Sequence, residues 1–210
     1  MIIKIGSFVV YGLIAGSISV SLGEIEYPGN VGRTDSFAEN HFEITESNLI
    51  SLATFTEKRE FIVNVYMASE EDREAVYDFS DDTIIAFSAP FEIEDTSNKS
   101  DFGSVLLWGD AAEPDFTVRF LPRQYELVVT ARYANKEDIS QYPELITDWD
   151  IEQRSEEITN LDFDRERARW IENYDRVPGN LKPTVWNFTF IPTDAEIEHQ
   201  IYRIRPAFRL

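Results

Sequence analysis

Residues 116–133, FTVRFLPRQYELVVTARY, contain two runs in which every second residue is apolar. The first run ends at Phe120, the second begins at Tyr125, and Pro122 lies between them. Alternation with a period of two is typical of strands with one buried face, and proline interrupts strands. The stretch therefore predicts two β-strands separated by a turn.

The same alternation recurs in the residues before this stretch. Further runs begin at Ile2, Ser17, Leu49, Phe61, Ile85 and Ser104, with polar turn residues between many of them. Seven or eight short strands within about 120 residues are typical of a sandwich of two antiparallel sheets. We therefore predict a mainly β protein in which residues 1–134 form an antiparallel β-sandwich.

Residues 135–210 have a different character. The polar, charged stretch 143–175 carries loosely spaced apolar residues that predict a helix over roughly residues 152–174, which should end before Val177-Pro178-Gly179. Two alternating runs follow, at 185–191 and 201–204, and they could pair as a β-hairpin. We predict that this acidic helical segment and terminal β-hairpin form an appendage packed on the sandwich.

The composition excludes several classes of function. The chain has 210 residues, 39 acidic and 19 basic, which gives a net charge of −20, and it has no cysteine. Disulfide scaffolds, cysteine nucleophiles and thiolate metal sites are therefore excluded. A general nucleic-acid-binding protein is disfavoured, because phosphate binding needs a cationic surface.

The sequence shows little material for catalysis. Only His41 and His199 could act as histidine bases, and no nucleophile elbow or phosphate-binding loop is present. Residues 148–152 and 162–166 space acids at every second position, but both lack the turn glycine and distal glutamate of a calcium loop. We predict no catalytic residue, no metal and no cofactor, so that the protein is not an enzyme.

The surplus of acids is the strongest functional signal. Solubility needs a net charge of only about 2–8 on a small domain, and a larger surplus favours a basic partner. Residues 1–105 hold 6 basic and 19 acidic side chains, so most of the net charge lies there. We predict that the partner is bound by Glu70, Glu71, Asp72, Asp78, Asp81 and Asp82.

A second candidate patch surrounds a tryptophan. Trp149 lies between Asp148 and Asp150, and an aromatic anchor ringed by acids suits a protein interface. The alternative interpretation is a tryptophan that covers the edge of the sandwich. We add Asp148, Trp149 and Asp150 to the predicted partner-binding residues.

The order of strands from Ser17 to Tyr133 resembles that of the competence protein J family, which are inhibitors of a DNA-entry nuclease. The similar pieces are residues 17–21, 50–55, 61–63, 89–93 and 116–127, the last with a Leu-Pro, turn, Tyr-x-Leu scheme. The chain has Arg123-Gln124 where a turn glycine would be expected. The resemblance implies a small acidic sandwich that binds and blocks a nuclease, and it assigns no functional residues.

These observations lead to one main hypothesis and two others. The main one is a non-enzymatic inhibitor or immunity-type protein whose carboxylates mimic DNA phosphates in a basic nuclease. A phage- or envelope-associated β-sandwich that self-associates is the first alternative, and a carbohydrate-active enzyme is the second. We expect a cytoplasmic protein, or an exported one if residues 1–16 act as a signal instead of a strand.

Overall fold

The computed structural model describes residues 1–11, 18–22, 42–44, 50–52, 60–92, 103–108, 116–121, 123–152 and 162–205. These residues form two sheets and several short helices, so the predicted mainly β class is confirmed. The strands are β1 (Ile3–Tyr11), β2 (Ile18–Leu22), β3 (Phe42–Ile44), β4 (Ile50–Leu52), β5 (Glu60–Met67), β6 (Ile85–Glu92), β7 (Gly103–Trp108), β8 (Phe116–Phe120), β9 (Gln124–Tyr133), β10 (Thr184–Pro192) and β11 (Gln200–Ile204).

The larger sheet has the strand order β1-β5-β10-β9-β6-β11, and the smaller has the order β3-β4-β2-β7-β8. β5 and β10 run parallel, while the other neighbours of the larger sheet and all those of the smaller are antiparallel. The larger sheet is therefore mixed. The described strand pairs within residues 1–134 are antiparallel, as predicted, and the parallel pair arises because β10 joins that sheet. β1 pairs with β5 over residues 3–11, as the strand interpretation of the N-terminal residues predicts.

The predicted terminal hairpin is wrong. β10 lies in the middle of the larger sheet, between β5 and β9, and β11 pairs with β6 at its edge. Two strands therefore separate β10 from β11. Alternation predicted both strands correctly, but it contains no information about their neighbours.

The helices are short. They comprise α1 (Arg73–Val76), α2 (Lys136–Gln141), α3 (Asp148–Glu152) and α4 (Phe163–Glu172), with 3-10 helices at Glu70–Asp72, Pro143–Leu145, Tyr174–Arg176 and Gly179–Leu181. The predicted helix over 152–174 corresponds to α4, whose N-cap is Asp162. Residues 153–161 lie outside the described residues. None of the helices among the described residues is both long and apolar enough to cross a membrane.

One face of the larger sheet is lined by a large apolar core. Alternate residues of β5, β6, β9 and β10 are buried there, with Trp186 among them. The smaller sheet contributes Phe120 of β8, whose ring centroid lies 4.5 Å from that of Phe190. The packing of the two sheets as a complete sandwich stays a prediction.

The opposite face of the larger sheet has two separate covers. At one end, Ile62 and Val185 pack against α2, α3 and the 3-10 helix that contains Tyr174. At the other end, Val128 and Ile191 pack against the segment that joins β5 to β6. The residues between β5 and β6 are thus held on the sheet, and they carry most of the predicted site.

A row of polar side chains crosses this face between the two covers. Ser7 donates to Asn64 at 2.7 Å, Asn64 to Asn187 at 2.9 Å, and Asn187 to Thr130 at 3.2 Å. These residues are direct neighbours on β1, β5, β10 and β9. Asn64 is buried and the other three side chains are half-buried. Since a buried polar group is costly without a partner, the row favours this register over a shifted one.

Candidate protein-binding surface

The connection between β5 and β6 contains the acidic segment, residues 70–82. Ser69 and Asp72 form a capping box at its start, which ends the extended chain and begins the 3-10 helix. The backbone amide of Ala68 donates to the carbonyl of Phe190 at 3.0 Å. Seven of the thirteen residues are acidic, so this connection has a high density of carboxylates.

The acidic segment is fastened to the sheet by a buried carboxylate. Glu126 of β9 is only 4% exposed, and it accepts hydrogen bonds from the Arg73 guanidinium and, at 2.5 Å, from the Tyr77 hydroxyl. Arg73 also donates to both carboxylate oxygens of Glu70, at 2.6 and 2.7 Å. A buried charge is stable only when it is paired and hydrogen-bonded, so Arg73 and Tyr77 fix this segment in place.

The local pKa shifts agree with these contacts. The hydrogen bonds from Arg73 lower the pKa of Glu70, and those from the N-terminal amine and Ser69 lower the pKa of Asp72. Burial raises the pKa of Tyr77 to about 12. The Tyr77 hydroxyl therefore stays protonated at neutral pH and can donate to Glu126.

The structure divides the six predicted acids of this segment into two groups. Glu70 contacts Arg73, Asp72 contacts the N-terminal amine, and Asp82 lies 3.8 Å from the Arg132 guanidinium. Glu71, Asp78 and Asp81 are exposed, and among the described residues they have no ion-pair partner, as is also true of Glu74 on α1. The carboxylates available to a partner are therefore centred on these four residues.

Three aromatic rings lie beside the acidic segment. Tyr77 and Phe79 come from the segment itself, and Tyr202 comes from the edge strand β11. Their ring centroids are separated by 5.0 Å for Tyr77 and Tyr202, 5.6 Å for Phe79 and Tyr202, and 5.8 Å for Tyr77 and Phe79. No sequence pattern indicates this aromatic triad, because Tyr202 is remote in the chain and joins the other two rings only through the β6–β11 pairing.

The second predicted patch is not a uniform acidic surface. The Asp148 carboxylate accepts a hydrogen bond from Arg167 at 2.6 Å, beside an open depression of about 510 Å³. Asp150 is 6% exposed, and its carboxylate accepts hydrogen bonds from the amide and the hydroxyl of Thr147, both at 2.8 Å. The side chain of Trp149 lies outside the described residues. The buried Asp150 carboxylate therefore binds Thr147 at the start of α3 and is not part of the open surface.

The two predicted patches belong to different parts of the fold, but the acidic segment is not confined to one end of the sheet. Its start is held by Glu126, the neighbour of Ile191 on β10. Its end reaches Arg132, the neighbour of Val185, because Asp82 lies 3.8 Å from that guanidinium. Six residues of extended β10 separate these two levels, which corresponds to about 20 Å. The acids of residues 70–82 are therefore spread along the strands, whereas residues 148–150 belong to the helices that cover Val185.

Within the described part of the chain, no group of three or more histidine, aspartate or glutamate side chains could hold a metal ion. His199 precedes β11, and burial lowers its pKa. His41 lies outside the described residues. The described part of this surface contains exposed carboxylates and aromatic rings, and aromatic residues are enriched in protein interfaces.

Comparison of sequences finds no family model and no curated protein that matches this chain. Comparison of structures finds a similarity to the crystal structure of ComJ, inhibitor of the DNA degrading activity of NucA, from Bacillus subtilis. The TM-score is 0.46 and the sequence identity is 10%, over 92% of this chain and 99% of ComJ. The likeness is one of fold alone.

Proposed function

We propose that this chain is a non-enzymatic acidic protein that binds and inhibits a basic partner, most simply a nuclease whose DNA groove accepts its carboxylates. One observation carries the proposal. Four exposed carboxylates lie on the connection between β5 and β6, which the ion pair of Arg73 with the buried Glu126 carboxylate fixes to the sheet. These four are Glu71, Glu74, Asp78 and Asp81.

A fixed array of carboxylates suits this role for a physical reason. Association is accelerated when complementary potentials steer two proteins together, and it costs less entropy when one surface is already ordered. Arg73 and Tyr77 supply that order by holding the segment to Glu126. The choice of a nuclease as the basic partner comes from the sequence resemblance, and the likeness to ComJ at this TM-score adds no argument to it.

Charge reversal on the acidic segment tests the proposal. A partner is first isolated from the native host and assayed for DNA degradation with and without the chain. We then expect Glu71→Lys, Glu74→Lys, Asp78→Lys and Asp81→Lys together to slow association by about tenfold to a hundredfold and to flatten its salt dependence. Stopped-flow association rates at several salt concentrations measure both effects.

A matched control carries the same change of net charge on another part of the surface. Four exposed acids on and around α2 and α4 serve this purpose: Glu137, Glu144, Glu172 and Asp175, each replaced by lysine. Their reversal should slow association much less than reversal on the acidic segment. Equal losses in the two variants, or a partner without nuclease activity, would contradict the proposal.

One observation favours the alternative of a self-associating protein. β1 is an edge strand of the larger sheet, and Ile3 and Ile5 on this strand are exposed, as is Ile2 just before it. An exposed apolar edge strand can pair with another chain. This alternative predicts a dimer that strengthens with salt, because salt screens the repulsion between two chains of net charge −20.

Size-exclusion chromatography with light scattering at low and high salt measures that mass. The alternative expects Ile3→Glu with Ile5→Glu to return the dimer to a monomer, whereas Ile201→Glu, exposed at the opposite edge, should not. A single-chain mass at both salt concentrations would exclude self-association through β1.

A further inference from the structure

The aromatic triad of Tyr77, Phe79 and Tyr202 is partly open to solvent. Tyr202 is 37% exposed, although large aromatic side chains without a partner are usually more buried, and Ile201 beside it is also exposed. The register of β11 against β6 shifts between Ile201 and Arg203, so that Tyr202 is an inserted residue at the sheet edge. Such bulges at sheet edges re-aim side chains and are frequent next to functional sites.

The three rings are held in fixed positions. The Tyr77 hydroxyl donates to buried Glu126, and the Tyr202 hydroxyl contacts the Ser88 hydroxyl at 3.2 Å and donates to Gln200 at 3.1 Å. Phe79 packs against both tyrosine rings. A rigid aromatic surface loses little conformational entropy when it binds, so it is well suited as the centre of an interface.

The charges around the triad indicate which kind of group could bind to it. The acidic segment has seven carboxylates, and the described arginines that contact it are Arg73, Arg132 and Arg203. Asp78 lies between Tyr77 and Phe79 in the chain and is exposed. A second copy of this chain would bring a further net charge of −20 to the same place. A cationic group is therefore the favoured occupant.

Among cationic side chains, arginine suits this surface best. Its planar guanidinium stacks on aromatic rings and is less strongly hydrated than the lysine ammonium, while its five N–H groups can still donate to neighbouring carboxylates. Arginine and tyrosine are also the residues most enriched at the centres of protein interfaces.

We propose that the aromatic triad is the contact for an arginine side chain of the basic partner, with the exposed acids of residues 71–81 around it. This inference rests on the proposed function, and it adds which side chain of the partner is recognised and where. The triad supplies the preference for arginine, and the carboxylates supply the general attraction for cations.

Two peptides of equal charge separate these contributions. Fluorescence anisotropy of labelled hexa-arginine and hexalysine, titrated with the full chain at low salt, should show about two- to fivefold tighter binding of hexa-arginine. Tyr202→Leu should remove this preference and leave hexalysine binding unchanged within twofold. Tyr202→Phe keeps the ring and should keep the preference. Equal affinities of the two peptides, or a preference that survives Tyr202→Leu, would overturn the proposal.

A second variant keeps the test possible if Tyr202→Leu does not fold. Should Tyr202→Leu unfold the chain, as judged by circular dichroism, Phe79→Leu changes another ring of the same triad and has the same expected outcome. The peptide result is also independent of the proposed function. A partner without nuclease activity would contradict the proposed function but would not affect the measured preference for arginine. If the partner is a nuclease, the peptide titrations still decide by themselves whether the triad binds arginine.

Discussion

Arg73→Met is expected to lower the free energy of unfolding by about 3–5 kcal/mol, because it leaves a buried carboxylate without its cation. Glu126 is the carboxylate, and the Tyr77 hydroxyl would be its remaining described hydrogen-bond donor. Methionine has a similar length and apolar stem, so the change removes the charge and the hydrogen bonds with little loss of volume. Glu70 would also lose the guanidinium that contacts both of its oxygens.

Urea unfolding followed by circular dichroism measures this loss. Arg123→Met is the matched control, because Arg123 pairs with Asp194, whose side chain is 98% exposed, and such pairs contribute at most about 1 kcal/mol. Adding Glu126→Leu to Arg73→Met should recover part of the loss, since no charge then remains buried. Similar losses of unfolding free energy for Arg73→Met and Arg123→Met would show that Arg73 does not stabilise the buried Glu126 carboxylate.

Phe190→Ala is expected to have an effect of similar size, a loss of about 3–5 kcal/mol. Phe190 is buried on β10, and its ring lies 4.5 Å from Phe120, 5.2 Å from Phe91 and 6.2 Å from Tyr125 between centroids. Removing the ring leaves a cavity and breaks the closer of two ring contacts of Phe120 of β8 in this core, the other being with Tyr125 at 5.6 Å.

Thermal and urea unfolding give the magnitude, and Leu121→Ala provides the comparison. Leu121 follows Phe120 directly and is 59% exposed, so its truncation should cost less than about 1 kcal/mol. Phe190→Leu should fall between the two, because leucine fills part of the cavity. A loss below about 1 kcal/mol for Phe190→Ala would contradict the central position of this ring.

The strands were predictable from the sequence, and their order was not. Alternation in runs such as 116–120 and 124–133 reports which side of a strand is buried, and the structure confirms strands there. The neighbour of a strand depends on long-range pairing, for which alternation holds no information. For this reason the sequence predicted β10 as a strand and placed it in a hairpin, whereas it lies between β5 and β9.

The predicted site shows the same division. Charge counting selected residues 70–82 as a candidate surface, because the density of acids can be read from the sequence alone. It could not distinguish an exposed acid such as Asp78 from Asp150, whose carboxylate accepts hydrogen bonds from Thr147. Nor could it identify the role of Glu126, since burial depends on what the acidic segment packs against. Tyr202 joins the surface only through the pairing of β11 with β6.

The central position of β10 has a consequence for how the chain reaches its native state during synthesis. A ribosome makes Glu60–Met67 and Gln124–Tyr133 well before Thr184–Pro192, which later inserts between them. Until then β5 and β9 lack their shared neighbour, and each has an open backbone edge that can pair with a foreign strand. Nascent chains halted before Thr184 should therefore be the form that aggregates and depends most on chaperones.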